Sequence, residues 1–370
     1  MKNKEQLPML ERLSVSDASS SVSFDDHEQV SYIEDKASGL KAYIAIHNTN
    51  LGPSVGGCRM YPYDSNAEAL EDVLRLSRGM TYKSALAGLP MGGGKSVIIG
   101  NPHTDKTPEL LTAMAEFIDQ HQGLYVSAED SGTGVADMQL IRQTTEHVLG
   151  LEPDSEFGGD PSPFTARGIF YAMQSAARYR FGSIDLSGLK VAIQGVGSVG
   201  LNLCRFLIEA GATVVVADTQ QKSLKQAKSL GANVVATDEI HRVPADIFSP
   251  CAMGAILNDA SIPELSAPVV VGGANNQLAS HYHAAVLKKR GVLYAPDFVV
   301  NAGGIIDVYR QFKSATAQEV EQKIVEIDAT LSEIFMLSDE HDLDAQTIAE
   351  QLAEKRFKAP GNDTDRSKAA

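Results

Sequence analysis

Three residues of this 370-residue chain combine a proton-exchanging side chain with a motif that could present it to a small molecule: Lys83, Lys95 and Asp130. Both lysines fall in the stretch GMTYKSALAGLPMGGGK (79–95), where Lys95 follows three consecutive glycines. Glycine loses more backbone freedom on ordering than any other residue, so such a run implies a ligand approaching bare backbone. Two ammonium groups in one site repel, and burial disfavours their charge. At least one of the pair is therefore expected to titrate low and to act as a base near neutral pH. The bland alternative is a surface lysine at a helix end and a flexible GGGK turn. The run lacks the GxxxxGK[ST] frame of a P-loop, which argues against a nucleoside triphosphate. Asp130 lies in SAEDSGTG (127–134), just past the apolar run Leu124-Tyr125-Val126. Sheet proteins place proton-exchanging acids at strand ends, although an aspartate there would also suit the N-cap of a helix beginning near Val135.

A second constellation holds a ligand rather than reacting with it. The apolar run LKVAIQ (189–194) leads directly into Gly195-Val196-Gly197-Ser198-Val199-Gly200, followed by Leu203, Cys204, Leu207 and Ile208 at helical spacing. The next strand, Thr213 to Val216, ends at Asp218. This is a GxGxxG fingerprint between strand and helix, where glycines admit a pyrophosphate to the helix N-terminus. Asp218 is placed for ribose hydroxyls; it would repel a 2′-phosphate, and Thr219-Gln220-Gln221 supply no arginine, so NAD is expected over NADP. Two further loops, GGANNQ (272–277) with Asn275 and Asn276 and NAGG (301–304) with Asn301, fall at strand ends where a nicotinamide ring would lie. Asparagine beside glycine also serves plain turns.

The elements that position these groups read as alternating strands and helices. A strand is expected from Leu40, followed by a short apolar turn flanked by Gly52, Gly56 and Gly57, which could bring backbone to a ligand. A helix with Leu70, Val73, Leu74 and Met80 on one face, and a Ser65/Glu68 capping box, ends near Lys83. A GGGK loop then feeds the strand Ser96–Ile99, and Thr107-Pro108-Glu109 opens another helix. Residues 150–163, rich in Gly and Pro, read as a hinge. Beyond it, short strands separated by helical segments indicate a parallel sheet wound on both faces, followed by an amphipathic helix over 317–337 and a helix capped by Asp344. The expected architecture is α/β in two domains: a partly disordered extension (1–27), a substrate-binding and dimerisation domain (28–149), a Rossmann NAD-binding domain (150–330), and C-terminal helices (331–370) returning to the first domain.

The formal net charge of −15 argues against nucleic acid or an anionic membrane as partner. No apolar run reaches the roughly twenty residues that span a bilayer. Three widely spaced cysteines, Cys58, Cys204 and Cys251, suit reduced thiols in a cytoplasmic protein and match no zinc spacing. His281 and His283 are too close in sequence to share a helix face, so no metal site is expected.

Taken together, GMTYK…GLPMGGGK, AEDSGT, GVGSVG, GANNQL and APDFVVNAGGI, in this order, resemble the amino-acid dehydrogenases of the glutamate, leucine, phenylalanine and valine group, nearest the leucine branch. The resemblance covers roughly residues 28–357 and implies NAD-dependent, reversible oxidative deamination of an L-amino acid, in a homo-oligomer. It implies that Lys83 holds the substrate carboxylate, Lys95 and Asp130 are catalytic, and Gly56 and Asn276 contact the substrate. Val55, Ala128, Ile305 and Val308 would line the side-chain pocket, and their branched and small apolar walls suit leucine, valine or isoleucine. Gly195, Gly197, Ser198, Val199, Gly200, Asp218, Asn275 and Asn301 would hold NAD. Two departures, Asp307 and Tyr309-Arg310-Gln311-Phe312, replace the group's usual Asn and Ala-Asp-Glu-Leu. GGCRMYPY also resembles the phenylalanine enzymes, which makes phenylalanine the alternative substrate. A catalytically silent NAD-binding protein is the alternative of another class, disfavoured by retention of both lysines and the aspartate.

Overall fold

The computed structural model describes residues 11–12, 21–151, 161–252, 254–313 and 315–358. Most of the expected extension, most of the hinge, and the polar tail beyond residue 358 therefore lie outside the described residues. The chain divides into two compact units, one comprising Met1–Ala85, Leu89–Gly159 and Arg356–Ala370, the other Leu86–Gly88 and Asp160–Lys355.

The first unit is built on a six-stranded sheet among the described residues, in the order β1-β2-β3-β5-β4-β6. Its strands are β1 (Glu11–Arg12), β2 (Gln29–Asp35), β3 (Leu40–Asn48), β4 (Ser54–Tyr61), β5 (Gly92–Ile99) and β6 (Tyr125–Glu129). The β2–β3 and β3–β5 pairs are antiparallel, whereas β4 is parallel to both β5 and β6. One face packs Val30, Tyr43, Ala45 and Val97 against Ala69, Val73 and Leu74 of helix α1 (Asn66–Leu86). The other face is covered by α2 (Pro108–Asp119) and α3 (Val135–Arg142), with Leu110, Met114, Phe117, Ile118, Met138 and Ile141 buried. Such a side chain, fully removed from water, contributes roughly 1.5–3 kcal/mol. Caps start the helices as read: the Ser65 hydroxyl accepts from Glu68 N at 3.2 Å, and Thr107 accepts from Leu110 N at 3.2 Å. The Glu68 carboxylate reaches one residue further back than a standard box, to Asp64 N at 2.9 Å.

Two local expectations change. The stretch around Gly56 and Gly57 is not a turn but the interior of β4, and the GGGK run is not a flexible loop but the first half of β5. The glycines are there because the strands are crowded. A methyl group at Gly92 would lie 2.1 Å from Asn48 O, one at Gly93 2.1 Å from Thr81 N of α1, and one at Gly94 2.7 Å from Ser54 Oγ. What crowds these glycines is the protein itself: backbone at Gly92 and Gly93, and the Ser54 and Tyr125 side chains at Gly94.

The second unit carries a six-stranded, all-parallel sheet among the described residues, in the order β12-β11-β10-β7-β8-β9. Its strands are β7 (Lys190–Gln194), β8 (Thr213–Ala217), β9 (Asn233–Val234), β10 (Ile247–Pro250), β11 (Val269–Val270) and β12 (Leu293–Tyr294). Order reverses between β7 and β10, which is the doubly wound dinucleotide-binding topology. Helices α4 (Ser162–Phe181), α5 (Ser198–Glu209), α6 (Gly303–Lys313) and α7 (Ala317–His341) pack around it, and α7 buries Val320, Ile324, Ile327, Leu331 and Ile334 as its spacing requires. The last helix, α8 (Ala345–Lys358), is capped by Asp344 through Thr347 N at 2.9 Å, and residues 356–358 group with the first unit.

Candidate active site

In the first unit, parallel pairing sets Val55 opposite Gly93 and Val126, and Gly57 opposite Ala128. Side chains alternate across a sheet, so Val55, Gly57, Arg59, Lys95 and Ala128 share one face. Asp130, just past β6, reaches the same spot: Lys95 Nζ lies 2.6 Å from its Oδ2, with the lysine side chain only 7% exposed. Gly57 makes the room. A methyl group there would stand 2.7 Å from Asp130 Cβ and 3.1 Å from Lys95 Nζ. Val55 and Ala128 are buried beside this pair.

The Asp130 loop is pinned from several directions. The Thr133 hydroxyl accepts from Asp130 N (3.1 Å) and donates to Cys58 O (2.7 Å), while Met60 N donates to Ser131 O (2.9 Å). Lys106 ties Gly132 O and Asp137 together at 3.0 and 2.7 Å. Asp130 is not a helix cap; Gly134 occupies that position for α3. Burial pushes the Asp130 carboxyl up, but the Lys95 and Arg59 charges outweigh it and hold the group at about 2. Asp130 is thus a carboxylate at physiological pH.

Lys83 is half-buried in the last turn of α1. Because α1 backbone at Thr81 presses on Gly93, Lys83 and Lys95 each stand two positions beyond one helix–strand contact. Gly56 is committed to the sheet: its carbonyl accepts from Tyr125 Oη at 2.8 Å, and a methyl group would meet Gly94 O at 1.8 Å. Arg59 is the site residue that sequence reasoning missed. Its Nε lies 3.2 Å from Asp130 Oδ2 and its Nη1 2.8 Å from Asp72 Oδ2. The signal was there, since Gly57 and Arg59 stand two apart and face one way on a strand, but a turn has no such alternation.

The dinucleotide fingerprint lies in the second unit. Gly195 has φ +90°, a left-handed conformation, with Ala252 Cβ only 2.6 Å from where a methyl group would sit, and a methyl at Gly200 would strike Gly195 O at 2.0 Å. Gly197 and Ser198, by contrast, are exposed at the N-terminus of α5, and Val199 is half-buried in its first turn. Asp218 Oδ2 accepts from Val196 N at 2.7 Å and its Oδ1 from Gln220 N at 2.7 Å, which fixes the acid beside the turn. Asn301 is buried, donating Nδ2 to Asn275 Oδ1 at 2.8 Å, while its own Oδ1 is buried without a hydrogen-bond partner. An open helix N-terminus, an acid at the next strand end and an orphaned amide oxygen fit a dinucleotide. Asn276 is exposed with φ 52°, Ile305 is buried and Val308 half-buried on α6. Asp307 is buried and receives Arg310 Nε at 3.0 Å; burial raises its carboxyl despite that partner.

Among the described residues no His/Cys/Asp/Glu group could hold a metal ion, and no helix is long and apolar enough to cross a membrane. His281 instead pairs with Glu350 at 3.2 Å and His283 with Asp259 at 3.3 Å.

Residues 27–147 match the family model described as Glu/Leu/Phe/Val dehydrogenase, dimerisation domain, and residues 160–225 and 216–359 match Glutamate/Leucine/Phenylalanine/Valine dehydrogenase. The chain is 46% identical over 333 residues to a leucine dehydrogenase of Geobacillus stearothermophilus, covering 90% of this chain and 91% of that protein. It is 47% identical over 316 residues to a phenylalanine dehydrogenase of Lysinibacillus sphaericus, covering 84% and 83%. The crystal structure of L-tryptophan dehydrogenase from Nostoc punctiforme superimposes with a TM-score of 0.80 at 41% identity, over 90% of this chain and 97% of that one.

Proposed function

Because the chain belongs to the Glu/Leu/Phe/Val dehydrogenase family, amino-acid dehydrogenases that use a nicotinamide cofactor, we propose that it catalyses the NAD-dependent, reversible oxidative deamination of a branched-chain L-amino acid to the 2-oxo acid and ammonia. The observation that carries the chemistry is the Lys95–Asp130 contact at 2.6 Å, a buried amine and carboxylate able to exchange a proton. A dinucleotide held by its pyrophosphate at the Gly195–Gly200 turn, with Asn275 and Asn301 at its nicotinamide end, would supply the acceptor for the hydride of the substrate Cα.

In this reading Lys83 holds the substrate carboxylate by charge and so fixes the Cα relative to Lys95. Lys95 takes a proton from the water that attacks the iminium carbon, and Asp130 passes protons to and from the departing amine. Asp218, already aimed by Val196 N, accepts from ribose hydroxyls and disfavours a 2′-phosphate. Gly197, Ser198 and Val199 receive the pyrophosphate at the helix N-terminus, with Gly195 and Gly200 shaping the turn, while Asn275 and Asn301 face the nicotinamide end. Gly56 and Asn276 are taken as further substrate contacts, and Val55, Ala128, Ile305 and Val308, all apolar, as the residues that favour an aliphatic side chain.

The identity to a phenylalanine dehydrogenase favours one second reading, an aromatic substrate. We also read the chain as a homo-oligomer, on the strength of its dimerisation-domain match, and as cytoplasmic, because Cys58, Cys204 and Cys251 are free thiols.

Purified protein given leucine, valine, isoleucine, phenylalanine or glutamate with NAD or NADP is expected to form reduced cofactor fastest with a branched aliphatic acid and NAD. Discrimination among those acids should be modest, since one methylene is worth about 1–3 kcal/mol. Glutamate or NADP as the best partner would overturn the pocket or the cofactor assignment, and phenylalanine winning would establish the second reading.

A further inference from the structure

Asp130 carries two cations on one oxygen. Lys95 Nζ at 2.6 Å and Arg59 Nε at 3.2 Å both reach Oδ2. Arg59 turns its other arm to Asp72 of α1, 2.8 Å away, and that acid is itself held by the Tyr63 hydroxyl at 2.7 Å and Arg75 at 2.9 Å. The guanidinium is therefore fixed at both ends, between the helix that carries Lys83 and the acid that touches Lys95.

From β5 Asp130 faces Lys95, from β4 Arg59, and from its own loop the Ser131 amide. Asp137 on α3 is occupied by Lys106 at 2.7 Å. A lysine that exchanges protons with a substrate spends part of each turnover neutral, and in that state its attraction for a carboxylate vanishes. A guanidinium does not deprotonate in proteins.

We propose that Arg59 is a positioning residue that keeps the Asp130 carboxylate charged and in place while Lys95 is neutral. This deepens the reading of Lys95 and Asp130 as the proton-exchanging pair and rests on it.

The test compares Arg59→Gln, Arg59→Lys and Asp72→Asn with wild type, measuring kcat and KM for the amino acid across pH, NAD binding and thermal midpoint. Arg59→Gln is expected to lower kcat about 10–100-fold, less than the roughly 10²–10⁴-fold that a general acid–base group itself supplies, while KM moves far less. Its deficit should widen toward alkaline pH, where wild type keeps the Arg59 charge beside Asp130 and the variant has none. Arg59→Lys should follow wild type near neutrality and fall away at alkaline pH, where its own charge is lost; Asp72→Asn should show a smaller deficit of the same form. A deficit equal at every pH, or confined to KM, would make Arg59 merely structural and overturn the proposal. Where Arg59→Gln does not fold, Arg59→Lys decides by the same criterion. Wild-type protein that oxidises no amino acid would sink the underlying reading instead, before any variant is made.

Discussion

At the scale of single residues, the site depends on one absence, the side chain of Gly57. The ammonium of Lys95 and the β-carbon of Asp130 occupy the space a Cβ would need, with gaps of 3.1 and 2.7 Å. Gly57→Ala is expected to separate the pair and lower kcat at least about 100-fold, since displacements near 1 Å have effects of that size. Lys95→Ala should abolish turnover outright. In both variants NAD should still bind, because its expected residues lie in the other unit; titration of NADH fluorescence checks this, and loss of cofactor binding would point to general unfolding. The types of these residues were legible from sequence, and so were their motifs. Arg59 was not, because its partners Asp130 and Asp72 are distant along the chain and only strand pairing brings them to it.

At the scale of elements, β3, α1 and the end of α8 meet around a buried histidine. His47 of β3 bonds the Thr81 hydroxyl at 2.8 Å and packs edge-on against His27 and Phe357, with ring centroids 4.8 and 6.0 Å apart. Burial, followed by the neighbouring His27, lowers the imidazole to about 4. The unfolded chain takes up a proton near pH 6.5, whereas the folded chain refuses it until about 4. Stability from this group is therefore complete above pH 6.5 and declines as pH falls toward 4. Between pH 7 and pH 5 the expected loss is roughly 2 kcal/mol. Urea unfolding followed by circular dichroism at the two pH values measures it, and His47→Gln should flatten the difference; an unchanged slope would assign the acid sensitivity to other groups. Element identity was readable wherever apolar spacing was clean, as in α2, α5 and α7. It failed at β4 and the start of β5 because glycine carries no periodic signal and normally marks turns.

At the scale of the whole molecule, the chain returns to its first unit at its end. Phe357 of α8 is buried there and packs on Tyr82 of α1 with centroids 5.4 Å apart. Phe357→Ala is expected to cost about 3–5 kcal/mol. Hydrogen exchange should quicken in β3 and α1 while the parallel sheet of the second unit keeps its protection; equal loosening of both units would show that the contact is not local. What the sequence by itself determined is the kind of machine: helical and strand periods, helix caps and a glycine fingerprint with its acid are local properties, so the doubly wound sheet and its expected ligand follow from neighbours in the chain. Only the tertiary structure decided that Lys95 stands inside a sheet, that Gly57 leaves room for its partner and that Arg59 shares the Asp130 oxygen. Those facts depend on register between β4, β5 and β6 and on the pressure of α1 against Gly93, and where glycine interrupts the apolar pattern that would set register, only packing between distant segments fixes it.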